Sequence, residues 1–392
     1  MSKHARKCMV IVMVSIATTM LRHAFLTFRS YDYEAYLEPW YNEIVANGKV
    51  LALKDTVGNY NLLYQTIIAL LTYLPINPLQ AYKWLSVLFD FGIAFATMHV
   101  LKKWGKSDRQ QLLGYGIVLV LPTAVMNSAM WGQCDSIYTF FVILFAIALF
   151  ERKPNKACIW LGIALAFKLQ AVFAFPFLVF SFWFLNHEKP KLKIWHFLWI
   201  PITMFLSGIV CYLAGQRDFF KVFKVYLNQT EEYPYLYANY PSFWTFFSIK
   251  NGPLDGYVRY GKVALVFTIV ALGALVFVLG HCSRSSQQVK AEYAWIILFI
   301  LVYTCVMFLP SMHERYGYVY EILAVLLCFI DEKTVPLCIA LQVISCMTYL
   351  HFLIGWNNSI LICAGINVLV YACYLLWMAG VFKREIRNEI KV

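Results

Sequence analysis

Long apolar runs recur from one end of this chain to the other, and nothing else in it constrains the fold as much. They lie at about residues 8–28, 78–101, 110–127, 133–151, 155–168, 171–186, 194–214, 258–280, 292–309, 315–331, 334–352 and 358–382. A helix needs roughly 18 or more apolar residues to cross a bilayer, and inside lipid its backbone groups must pair with one another. Only 14% of residues are charged and 61% are hydrophobic, whereas soluble domains carry about 25% charged residues. The expected fold class is all-α: a polytopic membrane protein with about 12 transmembrane helices, forming one domain over residues 1–392.

Charge sets the expected topology. Basic residues cluster at 3–7, 102–109, 152–156, 189–193, 284–290 and 383–391, which the positive-inside rule places in the cytoplasm. The net charge of +12 is absorbed by these loops, so no nucleic-acid partner is expected. The 11 cysteines lie mostly singly, without a CxxC pair, and read as small apolar fillers. The N-terminus reads as an uncleaved signal anchor. The run at 61–75 would give a helix of about 22 Å, too short for a core of roughly 30 Å. Counting it as a span would also put 102–109 outside, so it is expected as a juxtamembrane or re-entrant helix. Two outer segments follow, 29–77 and 215–257, both rich in Tyr, Trp and Pro and suited to helices lying along the surface.

Polar groups recur at the expected outer ends of these runs. S-Y-D-Y-E-A-Y-L-E-P-W at 30–40 carries Asp32, Glu34 and Glu38; a carboxylate there can serve as a general base toward a hydroxyl, or be a solvated loop acid or a helix cap. W-G-Q-C-D-S at 131–136 offers Gln133 and Asp135 to sugar hydroxyls, with helix capping by Asp135 as the alternative. Lys168, in A-F-K-L-Q-A, interrupts an apolar stretch and must snorkel or find an anion. P-S-M-H-E-R-Y at 310–316 presents His313 and Arg315, a pair able to hold a phosphate. Lys83 and Asp90, seven residues apart, share a helix face and are expected as a structural ion pair, or as a link between the site and the helix bundle. Asp32 and Glu34 form a D-x-E, but no further ligand lies nearby in sequence, so no metal is expected. Phosphate-binding, zinc-protease and nucleophile-elbow motifs are absent from the sequence.

Read in order, these motifs resemble a family. Y-D-Y-E-A at 31–35 with Trp40 is similar to the first luminal loop of the dolichyl-phosphate-glucose-dependent glucosyltransferases. N-Y-N-L-L-Y at 59–64 resembles their D-Y-P-P-L-T segment, with Leu62 and Leu63 in place of the prolines. A-F-K-L-Q-A at 166–171 resembles N-F-K-Q-M, and M-H-E-R at 312–315 resembles V-H-E-K. W-G-Q-C-D at 131–135 matches their H-F-Q-Y-N turn loosely and lacks its His. Bacterial relatives of the GPI-anchor mannosyltransferases share a D-Y-x-x-F/Y-L-x-P-W loop and an M-H-E-R-Y turn. The likeness covers about residues 8–330 and points to the GT-C glycosyltransferases.

The resemblance implies an inverting transfer of a hexose from a polyprenyl-phosphate donor to a hydroxyl of a lipid-linked glycan or cell-surface polymer. It implies Asp32 as catalytic base. Lys168, His313 and Arg315 would bind the donor phosphate, and Glu34, Trp131, Gln133, Asp135, Tyr60 and Asn61 the sugar or acceptor. The partners would be the polyprenyl-phosphate sugar, the acceptor and membrane lipids; no cofactor is implied. The expected location is a bacterial plasma membrane with the site facing outside, or the endoplasmic reticulum in a eukaryote, which sequons at 228–230 and 357–359 would permit. A transporter or flippase, and a polymerase or ligase of lipid-linked saccharides, are the alternatives.

Overall fold

The computed structural model describes residues 2–184, 191–232, 234–248, 252–285 and 291–390. The expected cytoplasmic segments 189–193, 284–290 and 383–391 lie partly outside the described residues. Among the described residues every regular element is helical, and the only extended pairing is a pair of isolated bridges from His313 to Ala238 and Asn239.

Each apolar run becomes helix, but not always one long helix. Among the described residues five helices are long and apolar enough to cross a membrane: Lys3–His23, Pro78–Lys103, Leu254–Cys282, Glu332–Ile354 and Ile360–Arg384. A sixth span exists if Asp108–Val120 and Pro122–Trp131, bent by 48°, are taken together. The bend has a local cause. Pro122 supplies no N–H and pushes the residue before it out of helical backbone, and Leu121 sits at φ −54°, ψ 125°. The other apolar helices, including Asp135–Phe150 and Pro154–Phe167, have 10–17 residues. Length and composition thus account for five or six of the twelve expected crossings. The run at 61–75, expected as a juxtamembrane or re-entrant helix, is helical over Leu62–Leu71, and much of that helix is buried.

The outward faces of the long helices are greasy. Val12, Met13, Ile16 and Met20 stand exposed on the first, and Val258, Ile269 and Phe277 on Leu254–Cys282. Apolar side chains aligned outward along a whole helix suit hydrocarbon and not water.

The chain divides into two compact units that alternate along the sequence: 1–148, 155–171 and 194–232 form one, and 149–154, 172–193 and 233–392 the other. In the first, Asp108–Val120 packs against both Lys3–His23 and Pro78–Lys103, around buried charge. Arg22 donates to Asp90 from Nη2 at 2.8 Å and Nε at 3.2 Å, and to the Leu119 carbonyl at 2.7 Å. The Ser128 hydroxyl adds a 2.5 Å bond to the same carboxylate. Lys83 does not pair with Asp90, correcting the sequence expectation: seven residues span about 10.5 Å of helix, so a shared face does not bring the two groups together. Lys83 instead donates to the carbonyls of Phe25 and Phe28 just beyond the first helix, at 2.8 and 2.6 Å, where a cation meets the negative helix end.

In the second unit a core of tyrosines is cross-linked by hydrogen bonds. Tyr303 stacks on Tyr320 with ring centroids 4.2 Å apart. The Tyr240 and Tyr320 hydroxyls lie 2.6 Å apart, and Asn367 accepts from Tyr303 and donates to Tyr240.

Candidate active site

Asp32 lies at the start of a short helix that widens into a π-helical turn over Tyr33–Leu37. Its side chain makes no capping bond to that turn, so the capping alternative fails. The carboxylate points instead to the 127–135 segment. Oδ2 accepts from Trp131 Nε1 at 3.0 Å and from Gln133 Nε2 at 2.7 Å. Gln133 Oε1 in turn accepts from the Tyr60 hydroxyl at 3.0 Å. That bond fixes which end of the amide faces Asp32. Among the described residues no donor engages Asp32 Oδ1. Four residues from three separate segments of sequence thus form one relay: Tyr60, Gln133, Asp32 and Trp131.

The backbone explains how Trp131 and Gln133 reach one carboxylate. Residues Met126–Trp131 form a second π-helical turn, which Gly132 ends at φ 81°. The amides of Gly132 and Gln133 close back on the carbonyls of Ser128 and Asn127, at 3.1 and 3.0 Å. This is a glycine C-cap, available at low cost only to a residue without Cβ. The Ser30 hydroxyl donates to the Trp131 carbonyl at 3.3 Å, joining the two loops directly. Wide helical turns of this kind recur at functional sites.

The same 127–135 segment carries a second polar cluster. Lys168 Nζ donates to Asp135 Oδ1 at 2.6 Å, and Asn127 Nδ2 to Asp135 Oδ2 at 2.9 Å. The pair is desolvated, with the side chains 7% and 0% exposed. Lys168 therefore does not snorkel, and both oxygens of Asp135 are already engaged.

The other candidates are placed as follows. Glu34 is exposed and accepts from Arg29 Nε at 2.9 Å, while Arg29 Nη2 reaches Glu38 at 2.5 Å. Those two carboxylates, Glu34 first, hold the Arg29 guanidinium above its ordinary pKa. Burial, followed by the charge of Glu38, pushes the Tyr33 hydroxyl up, so it stays a donor to Glu38 at 3.1 Å. Asn61 caps the Leu62–Leu71 helix by accepting from the Leu62 amide, and it donates to the Val222 carbonyl at 2.9 Å. It is buried and works on the backbone. His313 and Arg315 belong to the second unit. There Arg315 Nη1 donates to the fully buried Glu314 at 2.8 Å, and His313 Nδ1 lies 3.9 Å from that carboxylate. Their turn is pinned by bonds from the Ala238 amide to the Met312 carbonyl and from the Ser311 amide to the Tyr235 carbonyl, both 3.0 Å.

Sequence reasoning passed over Arg22, Arg29 and Asn127. Arg22 had a usable signal, since an arginine at the end of an apolar run needs a buried acid. Asn127 and Arg29 carried none beyond their polarity. Among the described residues no three His, Cys, Asp or Glu side chains gather closely enough to hold a metal. Compared with protein-family models and with curated proteins, the chain matches none.

Proposed function

We propose that this protein is an inverting membrane glycosyltransferase that moves a hexose from a polyprenyl-phosphate donor to an acceptor hydroxyl. One observation carries the reading: Asp32 is held on Oδ2 by two N–H donors while, among the described residues, Oδ1 has none. A general base must be fixed in place and yet keep a lone pair for the incoming proton. In the proposed step the acceptor hydroxyl gives its proton to Asp32 Oδ1 and its oxygen bonds to the anomeric carbon. The bond from that carbon to the phosphate oxygen breaks, and the electron pair leaves with the phosphate monoester. Inversion follows from a single displacement.

Cations near the departing phosphate would stabilise its growing charge, usually the largest catalytic contribution. Lys168 is proposed for this role, with its native acid, Asp135, as the counterion it exchanges for the phosphate. Gln133 and Trp131 are proposed to orient Asp32, and Tyr60 to orient Gln133. The proposed acceptor is a lipid-linked glycan or surface polymer, reached on the outer face of a bacterial plasma membrane or the lumenal face of the endoplasmic reticulum.

A second reading, movement of a lipid-linked saccharide across the bilayer, draws on the buried pairs of Arg22 with Asp90 and Lys168 with Asp135, because intramembrane charges often mark a pathway. Arg22 and Asp90 are saturated by mutual bonds, Leu119 and Ser128, which fits a structural role better. Proteoliposomes given synthetic polyprenyl-phosphate glucose, mannose or galactose, with membrane glycolipids as acceptors, separate the two readings. Transfer of one sugar is expected. Donor crossing the bilayer with its sugar still attached would replace transfer by transport.

A further inference from the structure

The helix Lys221–Glu232, itself part of the first unit, is tied to the rest of that unit at points that flank the proposed catalytic relay. Val222, Val225 and Tyr226 bury its inner face. Gln229 Nε2 donates to the Asn59 carbonyl at 2.5 Å, and the Val222 carbonyl accepts from Asn61 at 2.9 Å. These bonds fasten both neighbours of Tyr60. Tyr226 donates to the carbonyl of Leu165, three residues before Lys168. One short helix thus fixes the chain beside the hydroxyl that orients Gln133 and beside the lysine that pairs with Asp135.

The outer side of this helix, together with the segment leading into it, has a different chemistry. Phe219 is 51% exposed, Phe220 65% and Leu227 68%, and Leu213 just before the segment is 83% exposed. Arg217 and Lys224 are exposed among them, with Lys221 half-buried. The acids nearby are Asp218, bound to Lys224 at 3.0 Å, and Glu231 and Glu232 at the far end of the helix. Large apolar side chains interleaved with cations at the start of an amphipathic helix match a lipid headgroup surface carrying negative charge. The same unit includes the Lys3–His23 helix, whose outward apolar stripe calls for lipid.

We propose that Lys221–Glu232 is a strap docked on anionic phospholipid headgroups, so that lipid contact on its outer face sets the order of the Tyr60 segment on its inner face. Phe219, Phe220 and Leu227 enter the interface, Arg217, Lys221 and Lys224 meet the phosphates, and Gln229 is a positioning residue for Tyr60. The reading does not require the sugar chemistry.

Hydrogen exchange of the full chain in nanodiscs, without any sugar, tests it. In discs of phosphatidylcholine with one-third phosphatidylglycerol, amides of 219–229 and 59–64 are expected to exchange about fivefold more slowly than in phosphatidylcholine alone. Phe219→Ser with Phe220→Ser removes that difference in both segments. Lys224→Gln, a milder change, reduces it. Gln229→Ala keeps the slowing at 219–226 but loses it at 59–64. Exchange at 219–229 that ignores phosphatidylglycerol would overturn the docking, and an unchanged 59–64 in Gln229→Ala would overturn the coupling.

Discussion

Arg22 and Asp90 are both fully buried and satisfy each other, so removing either one leaves a charge with no water to solvate it. Asp90→Ala is expected to cost about 3–5 kcal/mol, whereas Arg22→Met with Asp90→Leu should recover most of that loss. Thermal unfolding in detergent measures both, and a double variant no better than the single one would assign the loss to packing. Tyr60→Phe removes only the hydroxyl that fixes the Gln133 amide. Under the transferase reading, turnover should fall about tenfold while the protein unfolds at an almost unchanged temperature, an effect of roughly 1.4 kcal/mol on the barrier. Asp32 and Gln133 were legible in the sequence because acids and amides stand out at the ends of apolar runs, whereas Tyr60 and Trp131 entered through the motifs that carry the family resemblance. Partners were less legible. Lys83 and Asp90 share a face on paper, yet Lys83 is satisfied by the carbonyls of Phe25 and Phe28 and Asp90 by Arg22 and Ser128, partners far away in sequence.

At the scale of elements, two glycines and one aspartate bear the argument. Gly132 holds φ 81° where Trp131 and Gln133 turn toward Asp32, and Gly132→Ala should cost about 1–2 kcal/mol of stability. Gly58 has φ 62°, and a Cβ there would stand 2.4 Å from the Trp40 ring. Gly58→Ala must therefore shift Trp40, which touches Tyr60 edge-on at 5.7 Å, and a changed tryptophan emission would report it. Asp218 accepts from the Phe220 amide and from Lys224 at the start of the strap helix. The Lys224 bond, above all, holds its carboxyl below the ordinary value of 3.8. Its contribution is thus complete above pH 3.8 and disappears as pH falls through the depressed value. The first turn of Lys221–Glu232 should lose exchange protection only in that acid range; in Asp218→Asn it should already be lost at neutral pH. Apolar runs located nearly every helix, but not the interruptions. Pro122 was a visible stop signal inside the run 110–127 and its neighbourhood, whereas the π-helical turns at Tyr33–Leu37 and Met126–Trp131 follow from tertiary bonds and left no local trace.

Among the described residues every regular element is helical, and five or six helices are long and apolar enough to span a bilayer; that class was legible from continuity of apolar sequence alone. The full count of crossings was not, since helices such as Asp135–Phe150 and Pro154–Phe167 are short and their surroundings decide whether they cross. The division into two alternating units was equally hidden, because no linker or change of composition marks it. Sequence order brought Asp32, Tyr60, Trp131 and Gln133 under suspicion separately; the fold of the first unit joins them around one carboxylate oxygen. Everything proposed for activity passes through the other oxygen. The decisive measurement is therefore sugar transfer by Asp32→Asn in proteoliposomes supplied with the donor that the native protein uses. The variant is expected to fold and to bind the donor like the native chain, with turnover reduced about 10²–10⁴-fold. Turnover within a few-fold of native would contradict the assignment of Asp32 as the base.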